Sequence, residues 1–334
     1  MEPHVSFLTK LPTDRYDKDA FKQFTGRTEF EIGNAKAMAW MSQLAYETDE
    51  PEKIKDILKL RGLALVEGGV IIEESKTVLP MASTHCFVAS APVASGPTAV
   101  IVAFAGTDPV SLANWISNFN AHLQATGTAE GYAVAAAVVW PKLKALLEKC
   151  VPSGSKVFVT GHSLGGALAA LIANHIITEL PVGVGAVYTF GMPRPGNQVF
   201  ADRYNEKLGS RTYRLVHGLD IVPTVAPTEL GFSHLGRLLQ CERLGRFDKA
   251  NLASDTSSDL PLFAPGVASD LSTISHGPLS AMLSAGARIK LAAALLTGMG
   301  PSSMRTDPGG IIIELLPPRL RDHMPDRYIS ACNA

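Results

Sequence analysis

The chain has 334 residues, enough for one large α/β domain or two small ones. Its formal net charge of −1 gives no electrostatic basis for binding nucleic acid or an anionic membrane. Charged residues make up only 18% of the chain, against an average of about 25%, and such a surface is compatible with contact to lipid or to an apolar substrate.

The cysteines and the N-terminal residues do not decide the cellular compartment of the protein. Because Cys86, Cys150, Cys241 and Cys332 form no C-x-x-C pair, we expect four free thiols and neither a zinc site nor a thioredoxin-like motif. Residues 1–10 carry no signal-peptide pattern, so the chain is either cytoplasmic or secreted with its signal removed or by another route. No apolar run reaches the roughly 18–20 residues of a transmembrane helix.

Hydrophobic periodicity predicts helices and strands in the first half of the chain. In chain order these are helices over 34–47 and 51–60, strands over 64–74, 84–90 and 98–104, and a helix over 130–150. Asn34 is the expected N-cap of the first helix, and Gly68 and Gly69 are expected to form the turn between two hairpin arms.

Strands and helices alternate in the second half, which predicts a mainly parallel sheet covered by helices on both faces. The predicted elements are strands over 156–160, 184–190 and 211–216, and helices over 164–180 and 197–207. From about 242 to 314 the pattern weakens. This region is either an insertion or cap on a single domain of residues 1–334, or a C-terminal helix that completes the core.

A G-x-S-x-G motif, Gly161-His162-Ser163-Leu164-Gly165, follows the predicted strand and opens the predicted helix. This context is that of a nucleophile elbow, in which a serine on a sharp turn exposes its hydroxyl. Gly161 and Gly165 leave room where the strand turns into the helix. The backbone N–H of Leu164 is the expected first donor of an oxyanion hole.

A serine nucleophile needs a base, and the base needs an orienting acid, in the chain order Ser, Asp or Glu, His. The predicted acid is Asp220, which follows a buried strand and therefore lies at the same edge of a parallel sheet as Ser163. Alternatively, Asp220 caps a turn before Pro223.

Three histidines follow Asp220: His234, His276 and His323. His276 and His323 both lie in loops that precede predicted helices, so residue pattern alone leaves the base open. His217 lies close enough to Asp220 in sequence to compete for its carboxylate.

Four segments resemble, in the correct order, motifs of the class 3 lipases, the fungal-lipase-like branch of the α/β-hydrolases. Besides the elbow they are Phe104-Ala105-Gly106-Thr107 with Asn114-Trp115-Ile116, the run from Phe190 to Asn197, and Asp220-Ile221-Val222-Pro223. The resemblance covers roughly residues 34–236 and the C-terminal end. It implies an α/β-hydrolase fold with a lid helix and, in this chain, a C-terminal helical insertion.

The resemblance also favours one base. The family places its histidine in an Asp-His segment followed by a tyrosine, and Asp322-His323 with Tyr328 looks like that pattern, whereas His276 does not. By the same resemblance, Thr107 is the second oxyanion-hole residue. Ala105 stands where the family commonly has Arg, which puts a family-like ion pair to the lid in doubt.

The segment over about 108–124 resembles the family's lid. Its apolar residues, among them Trp115, Ile116 and Phe119, recur at near-helical spacing and are expected to contact substrate. A lid has a physical reason, because an open acyl groove would be a large exposed apolar patch. The alternative is an ordinary surface helix.

These observations predict a serine carboxylic-ester hydrolase, a lipase of acylglycerols, with Ser163, Asp220 and His323 as its triad. The sequence implies no metal and no organic cofactor, and the partner is a lipid or ester, in solution or at a lipid–water interface. Oligomeric state stays open. Other candidates are a short-chain esterase, a phospholipase or galactolipase, and a non-catalytic lipid-binding protein.

Overall fold

The structure, a computed structural model, describes residues 9–74, 83–94, 96–107, 122–226, 228–256 and 318–333. Within these residues, one large sheet lies between two hydrophobic clusters, one on each face. The predicted mainly parallel sheet with helices on both sides is confirmed.

Nine strands form two sheets in the described residues. In chain order they are β1 (Ala64–Glu74), β2 (Ser83–Ala91), β3 (Ala99–Phe104), β4 (Lys156–His162), β5 (Gly183–Phe190), β6 (Gly196–Asn197), β7 (Thr212–His217), β8 (Phe232–Ser233) and β9 (Arg237–Cys241). The seven-stranded sheet has the order β1-β2-β3-β4-β5-β7-β9, and β6 pairs with β8. The β1–β2 and β2–β3 pairs are antiparallel, whereas β3, β4, β5, β7 and β9 run parallel.

The helices pack on both faces of this sheet. They are α1 (Ile32–Leu44), α2 (Pro51–Lys59), α3 (Glu130–Cys150), α4 (Leu164–Glu179), α5 (Gln198–Leu208), α6 (Pro318–Arg321) and α7 (Pro325–Ala331). Helices α1, α2 and α7 contribute to one hydrophobic cluster, and α3, α4 and α5 to the other. The helices and strands predicted between residues 34 and 216 are confirmed except for the helix over about 108–124, which is not tested, and their bounds differ by at most three residues.

Strand β3 shows why the central strands read as continuous apolar runs. All six of its residues are buried, with Val102 in one cluster and Ile101 in the other. A parallel strand covered on both faces has no solvent side, so polar residues do not alternate along it.

The expected N-cap role of Asn34 is wrong. Helix α1 begins two residues earlier, at Ile32, and Asn34 is buried inside its first turn. Its side chain accepts from Thr25 N (2.8 Å) and donates to Arg27 O (3.3 Å). The residue pins the preceding loop to the helix, a tertiary role that the local sequence does not show.

The expected turn at Gly68 and Gly69 is also wrong. Both residues lie inside β1, where the register with β2 shifts between Leu65 and Val70. Gly68 has φ +68°, which a bulge favours and which glycine adopts without strain.

Two further segments complete the described core. Strand β9, which the sequence pattern did not indicate, extends the parallel sheet beside β7. Residues 318–333, here called the tail, then pack on the sheet through α7. Between them, Phe247 is buried and donates its N–H to Ala331 O (2.9 Å), so part of the predicted insertion contacts the tail.

Other predicted regions lie outside the described residues. These are most of the predicted lid (108–121) and residues 257–314 of the predicted insertion. The lid, the insertion and the single-domain organisation stay predictions. All four cysteines are free thiols, as predicted, and none of the helices in the described ranges is both long and apolar enough to span a membrane.

The turn from β4 into α4 depends on close packing between two glycines. A Cβ on Gly161 would lie 2.1 Å from Gly165 O, and a Cβ on Gly165 would lie 2.6 Å from Phe104 O. Both distances are far below van der Waals contact with backbone atoms that have no freedom to move. The predicted steric role of these glycines is therefore confirmed, and their packing fixes the angle at which β4 enters α4.

Substitution Gly161→Ala should lower the free energy of unfolding by about 3 kcal/mol or more, because the new methyl group collides with backbone. Gly183→Ala is the matched control, since a Cβ at Gly183 meets no atom within 4 Å. Urea unfolding followed by circular dichroism measures both. Equal stability of the two variants would contradict this account of the turn.

Candidate active site

Ser163 is held in a strained conformation at the carboxyl end of β4. Its φ of +59° and ψ of −132° lie where L-residues are rarely found, and within the described ranges only Ala226 is a further non-glycine residue with positive φ. Its N–H donates to Phe190 O (2.8 Å), and its own carbonyl accepts from Gly166 N (2.9 Å). Such strain persists only where the surroundings enforce it, and it is often found at functional sites.

The two predicted oxyanion-hole residues flank this serine. Leu164 is the first residue of α4, so its N–H has no acceptor within the helix. Thr107 follows β3, the neighbour of β4, and is buried with no hydrogen-bond partner for Oγ1 among the described residues. Gly106 lies so close that an added Cβ would be 2.9 Å from Ser163 Cβ. The end of β3 thus brings Gly106, the neighbour of Thr107 in the chain, against the serine.

Asp220 lies on the loop after β7, as predicted, and is buried. Its Oδ1 accepts from Val222 N (2.8 Å), which closes a turn just before the short 3₁₀ helix Val222–Thr224. The turn-capping interpretation is therefore correct for this oxygen, while the second oxygen faces the histidine described next.

His323 meets Asp220 through a direct hydrogen bond. Its Nδ1 lies 2.7 Å from Asp220 Oδ2, and both side chains are almost fully buried. Because a carboxylate only accepts, Nδ1 carries the hydrogen and donates it. In the neutral ring this leaves Nε2 as the basic atom. Neither Nε2 nor Ser163 Oγ has a hydrogen-bond partner among the described residues.

Tyr328 is a second donor to the same carboxylate oxygen. Its Oη lies 2.5 Å from Asp220 Oδ2 and accepts from His217 N (3.2 Å). Burial raises the pKa of Tyr328 well above its usual value, so the hydroxyl stays protonated and donates. The acid is thereby fixed by three donors.

Gly191 leaves the space in which this pair meets. It has φ +64°, and a Cβ there would lie 2.6 Å from Asp220 Oδ2 and 2.8 Å from His323 Nδ1. The site therefore requires glycine at this position, for both its backbone conformation and its lack of a side chain.

His162, beside the serine, belongs to the framework of the elbow. Its Nδ1 lies 2.8 Å from Tyr46 Oη, and its Nε2 lies 2.6 Å from His323 O. Since a carbonyl only accepts, Nε2 is the protonated atom and Tyr46 donates to Nδ1. The ring centroids of His162 and His323 are 4.5 Å apart, which places His323 beside the elbow.

The side chains of His234 and His217 do not hydrogen-bond to the acid. His234 Nε2 lies 2.9 Å from Pro223 O, a backbone contact. The side chain of His217 makes no hydrogen bond to Asp220, so the expected competition for the carboxylate does not occur in the structure. His276 lies outside the described residues, as do Trp115, Ile116 and Phe119.

Sequence reasoning missed several residues that support the pair, notably Gly191, Tyr46 and the hydrogen bonds of His162. The glycine follows a buried strand, which is a usable signal, whereas contacts across more than a hundred positions leave no local trace. Among the described residues no group of three or more His, Cys, Asp or Glu side chains could hold a metal ion.

Comparison with known proteins gives matches to lipases. Residues 101–230 match the family Lipase (class 3). The secreted mono- and diacylglycerol lipase LIP4 of Malassezia restricta is 47% identical over 79 residues, which are 24% of this chain and 26% of that protein. The secreted mono- and diacylglycerol lipase 1 of Fusarium solani is 32% identical over 144 residues, which are 40% of this chain and 41% of that protein. The chain thus matches less than half the length of these relatives.

Solved structures are similar at the level of fold. The nonglycosylated LIP2 lipase of Yarrowia lipolytica has a TM-score of 0.52 at 20% identity, covering 68% of this chain and 85% of that one. A mutant form of MDLA from Penicillium cyclopium has a TM-score of 0.51 at 18% identity, covering 75% of this chain and 89% of that one. These likenesses confirm the α/β-hydrolase fold.

Replacing Tyr328 by Phe should lower the free energy of unfolding by about 2 kcal/mol, because the buried Asp220 carboxylate loses a donor. Tyr213→Phe is the comparison, since Tyr213 Oη donates to a neutral carbonyl, Thr28 O (2.7 Å), and should cost only about 1 kcal/mol. Urea denaturation of both variants gives the two values. A smaller loss for Tyr328→Phe than for Tyr213→Phe would count against a charge-assisted bond.

Stability should fall as the pH drops below about 6.5. Burial, reinforced by nearby positive or titratable groups, lowers the pKa of His162 and His234 well below 6.5. Unfolding restores the ordinary pKa, so the unfolded chain binds more protons in this window, and each histidine contributes a slope of up to about 1.4 kcal/mol per pH unit. Urea unfolding at steps between about pH 7.5 and pH 5 measures the slope, which His234→Gln should reduce. A flat profile would refute the neutral assignment.

Proposed function

We propose that the chain is a serine carboxylic-ester hydrolase that cleaves acylglycerols, since its residues 101–230 match the family Lipase (class 3). One observation carries the proposal: a histidine bonded to a buried aspartate meets a strained elbow that carries a serine. The names of the two relatives, both mono- and diacylglycerol lipases, support this substrate class.

In the proposed reaction, Ser163 Oγ attacks the ester carbonyl carbon while its proton passes to His323 Nε2. The carbonyl oxygen becomes an oxyanion, and the C–O bond to the alcohol then breaks. His323 returns the proton to the leaving alkoxide, which departs as the alcohol and leaves the acyl group on Ser163. Water repeats the sequence and releases the carboxylic acid.

The surrounding groups have defined parts in this scheme. The Asp220 carboxylate holds Nδ1–H, which keeps Nε2 free to accept and stabilises the imidazolium that forms. The Leu164 N–H, at the N-terminus of α4, and Thr107 supply donors to the oxyanion. Ser163 Oγ and His323 Nε2 form their hydrogen bond once substrate is bound, since such catalytic bonds are often long or absent without it.

We also propose that the segment over about 108–124 is the lid and that Trp115, Ile116 and Phe119 contact the acyl chain. The N–H of Glu130 donates to His122 O (2.9 Å), and Leu123 bridges to Ala129, so the end of this segment is anchored to the start of α3. Both relatives are named as secreted, which supports the secreted option among those that the sequence leaves open.

Substitution Ser163→Ala should lower kcat on p-nitrophenyl esters by at least about 10⁴-fold without loss of folded protein, and His323→Ala should lower kcat as far in the protein that stays folded. His276→Ala should retain activity near the wild-type value. His175→Ala is the surface control, because His175 hydrogen-bonds to Glu179 on α4 and stacks on Trp140 of α3. Circular dichroism verifies folding of each variant.

The chain length of the preferred ester separates the alternatives. Turnover that rises with acyl length and extends to diacylglycerol emulsions supports a lipase, whereas a preference for acetate and butyrate esters identifies a short-chain esterase. Release of fatty acid from phospholipid or galactolipid but not from acylglycerol would identify those substrates instead. A loss of kcat in His276→Ala but not in His323→Ala would overturn the proposed triad. If the wild type hydrolyses none of these esters, a lipid-binding protein is favoured.

A further inference from the structure

The residue before His323 joins the tail to the loop that carries Asp220. The Asp322 side chain is only 2% exposed. Its Oδ2 accepts from Leu219 N (3.0 Å), and its Oδ1 accepts from Arg243 Nε (3.1 Å). A single buried carboxylate thus contacts two separate segments of the chain.

The contact between Leu219 and Asp322 lies one residue along from the contact between Asp220 and His323. Leu219 precedes Asp220 in the chain, and Asp322 precedes His323. The hydrogen bonds from Leu219 to Asp322 and from His323 to Asp220 therefore connect the same two segments at consecutive positions. With two such bonds, the tail can neither slide along the loop nor rotate about a single contact.

The loop is shaped to receive Asp322. Gly218 has φ +55°, and a Cβ there would lie 2.6 Å from Asp322 Oδ2. Any larger residue would therefore displace the carboxylate. The glycine allows the chain to leave β7 with the Leu219 N–H directed at Asp322.

Arg243 supplies the charge that this carboxylate needs. A buried carboxylate without a cation is costly, because its charge then has neither water nor a partner. Arg243 is 35% exposed, so its guanidinium reaches from the surface to the buried Asp322. Loss of the Arg243 guanidinium would therefore disturb the hydrogen bond between Asp322 and Leu219. Because Asp220 follows Leu219 in the chain, Asp220 would move as well.

We propose that Arg243 and Asp322 are positioning residues that hold His323 in line with Asp220. The inference deepens the proposed hydrolase function, on which its catalytic readout rests. Neither residue touches the reacting atoms. Together they fix where the base stands relative to the elbow, and a small displacement of a base is enough to slow the chemistry.

The chain offers a matched control for the test. Arg246 lines the same cavity of about 620 Å³ as Arg243, beside Gly218 and Leu219, but forms no ion pair within the described part of the chain. Arg243→Ala and Arg246→Ala therefore remove the same side chain at the same cavity, the first with its contact to Asp322 and the second, from a more exposed position, without one. Asp322→Asn is the second variant, since it keeps an oxygen for the Leu219 N–H but loses the charge.

Two measurements report the position of His323. Turnover per active site, normalised by titration of Ser163 with an organophosphonate, gives kcat and KM. The downfield proton resonance of His323 Nδ1–H, identified by its absence in His323→Gln, reports the bond to Asp220 without any turnover. Methylguanidinium, small enough to enter the cavity that Arg243→Ala enlarges, tests whether the lost group can be replaced.

We expect Arg243→Ala to lower kcat about tenfold with KM changed less than twofold, and to broaden or shift the Nδ1–H resonance. Asp322→Asn should act in the same direction, Arg246→Ala should match the wild type, and methylguanidinium should restore part of kcat in Arg243→Ala alone. A purely structural role would reduce the amount of folded protein but leave kcat per titrated site and the resonance unchanged.

The inference is overturned if Arg243→Ala keeps both kcat and the resonance within the range of Arg246→Ala. A wild-type protein that shows the resonance but cleaves no ester would refute the proposed function instead. In that case, comparison of the His323 Nδ1–H resonance between Arg243→Ala and Arg246→Ala still tests the positioning role.

Discussion

The hydrogen bond between Asp220 Oδ2 and His323 Nδ1 links positions 103 residues apart, and the candidate site depends on it. A carboxylate and an imidazole removed from water are stable only if their polar atoms are satisfied. Tyr328 and Val222 N complete the set of donors to the acid. Gly191 supplies the empty space without which the two groups would not meet.

The parallel sheet decides where this bond can form. Strands β3, β4 and β7 run in the same direction, so their carboxyl ends deliver Thr107, Ser163 and Asp220 to a single edge. The strain at Ser163 is maintained because α4 is buried from Leu164 to Ala173 and Gly161 packs against Gly165. A loosened core would let the serine relax out of its conformation, which ties the chemistry to the packing of the fold.

Local sequence patterns predict most helices and strands and the elbow, because each of these depends on residues within a few positions of one another. The steric fit of Gly161 to Gly165 spans four residues, so the motif itself predicts it. Asn34 was misassigned because its partners, Thr25 and Arg27, belong to a loop that only the fold brings near. Strand β9 is short and half-exposed, so its pairing with β7, and not its composition, defines it.

The choice of base shows where sequence reasoning stops. His276 and His323 have similar local surroundings in the sequence, and only resemblance favoured the second. The structure supplies the physical reason for preferring His323, which is the docking of the tail. Tyr328, Asp322 and His323 lie on one short segment, and each bonds to the β7 loop or to the elbow. Because acid and base arrive on separate segments, the accuracy of the site is set by these cross-links rather than by either segment alone.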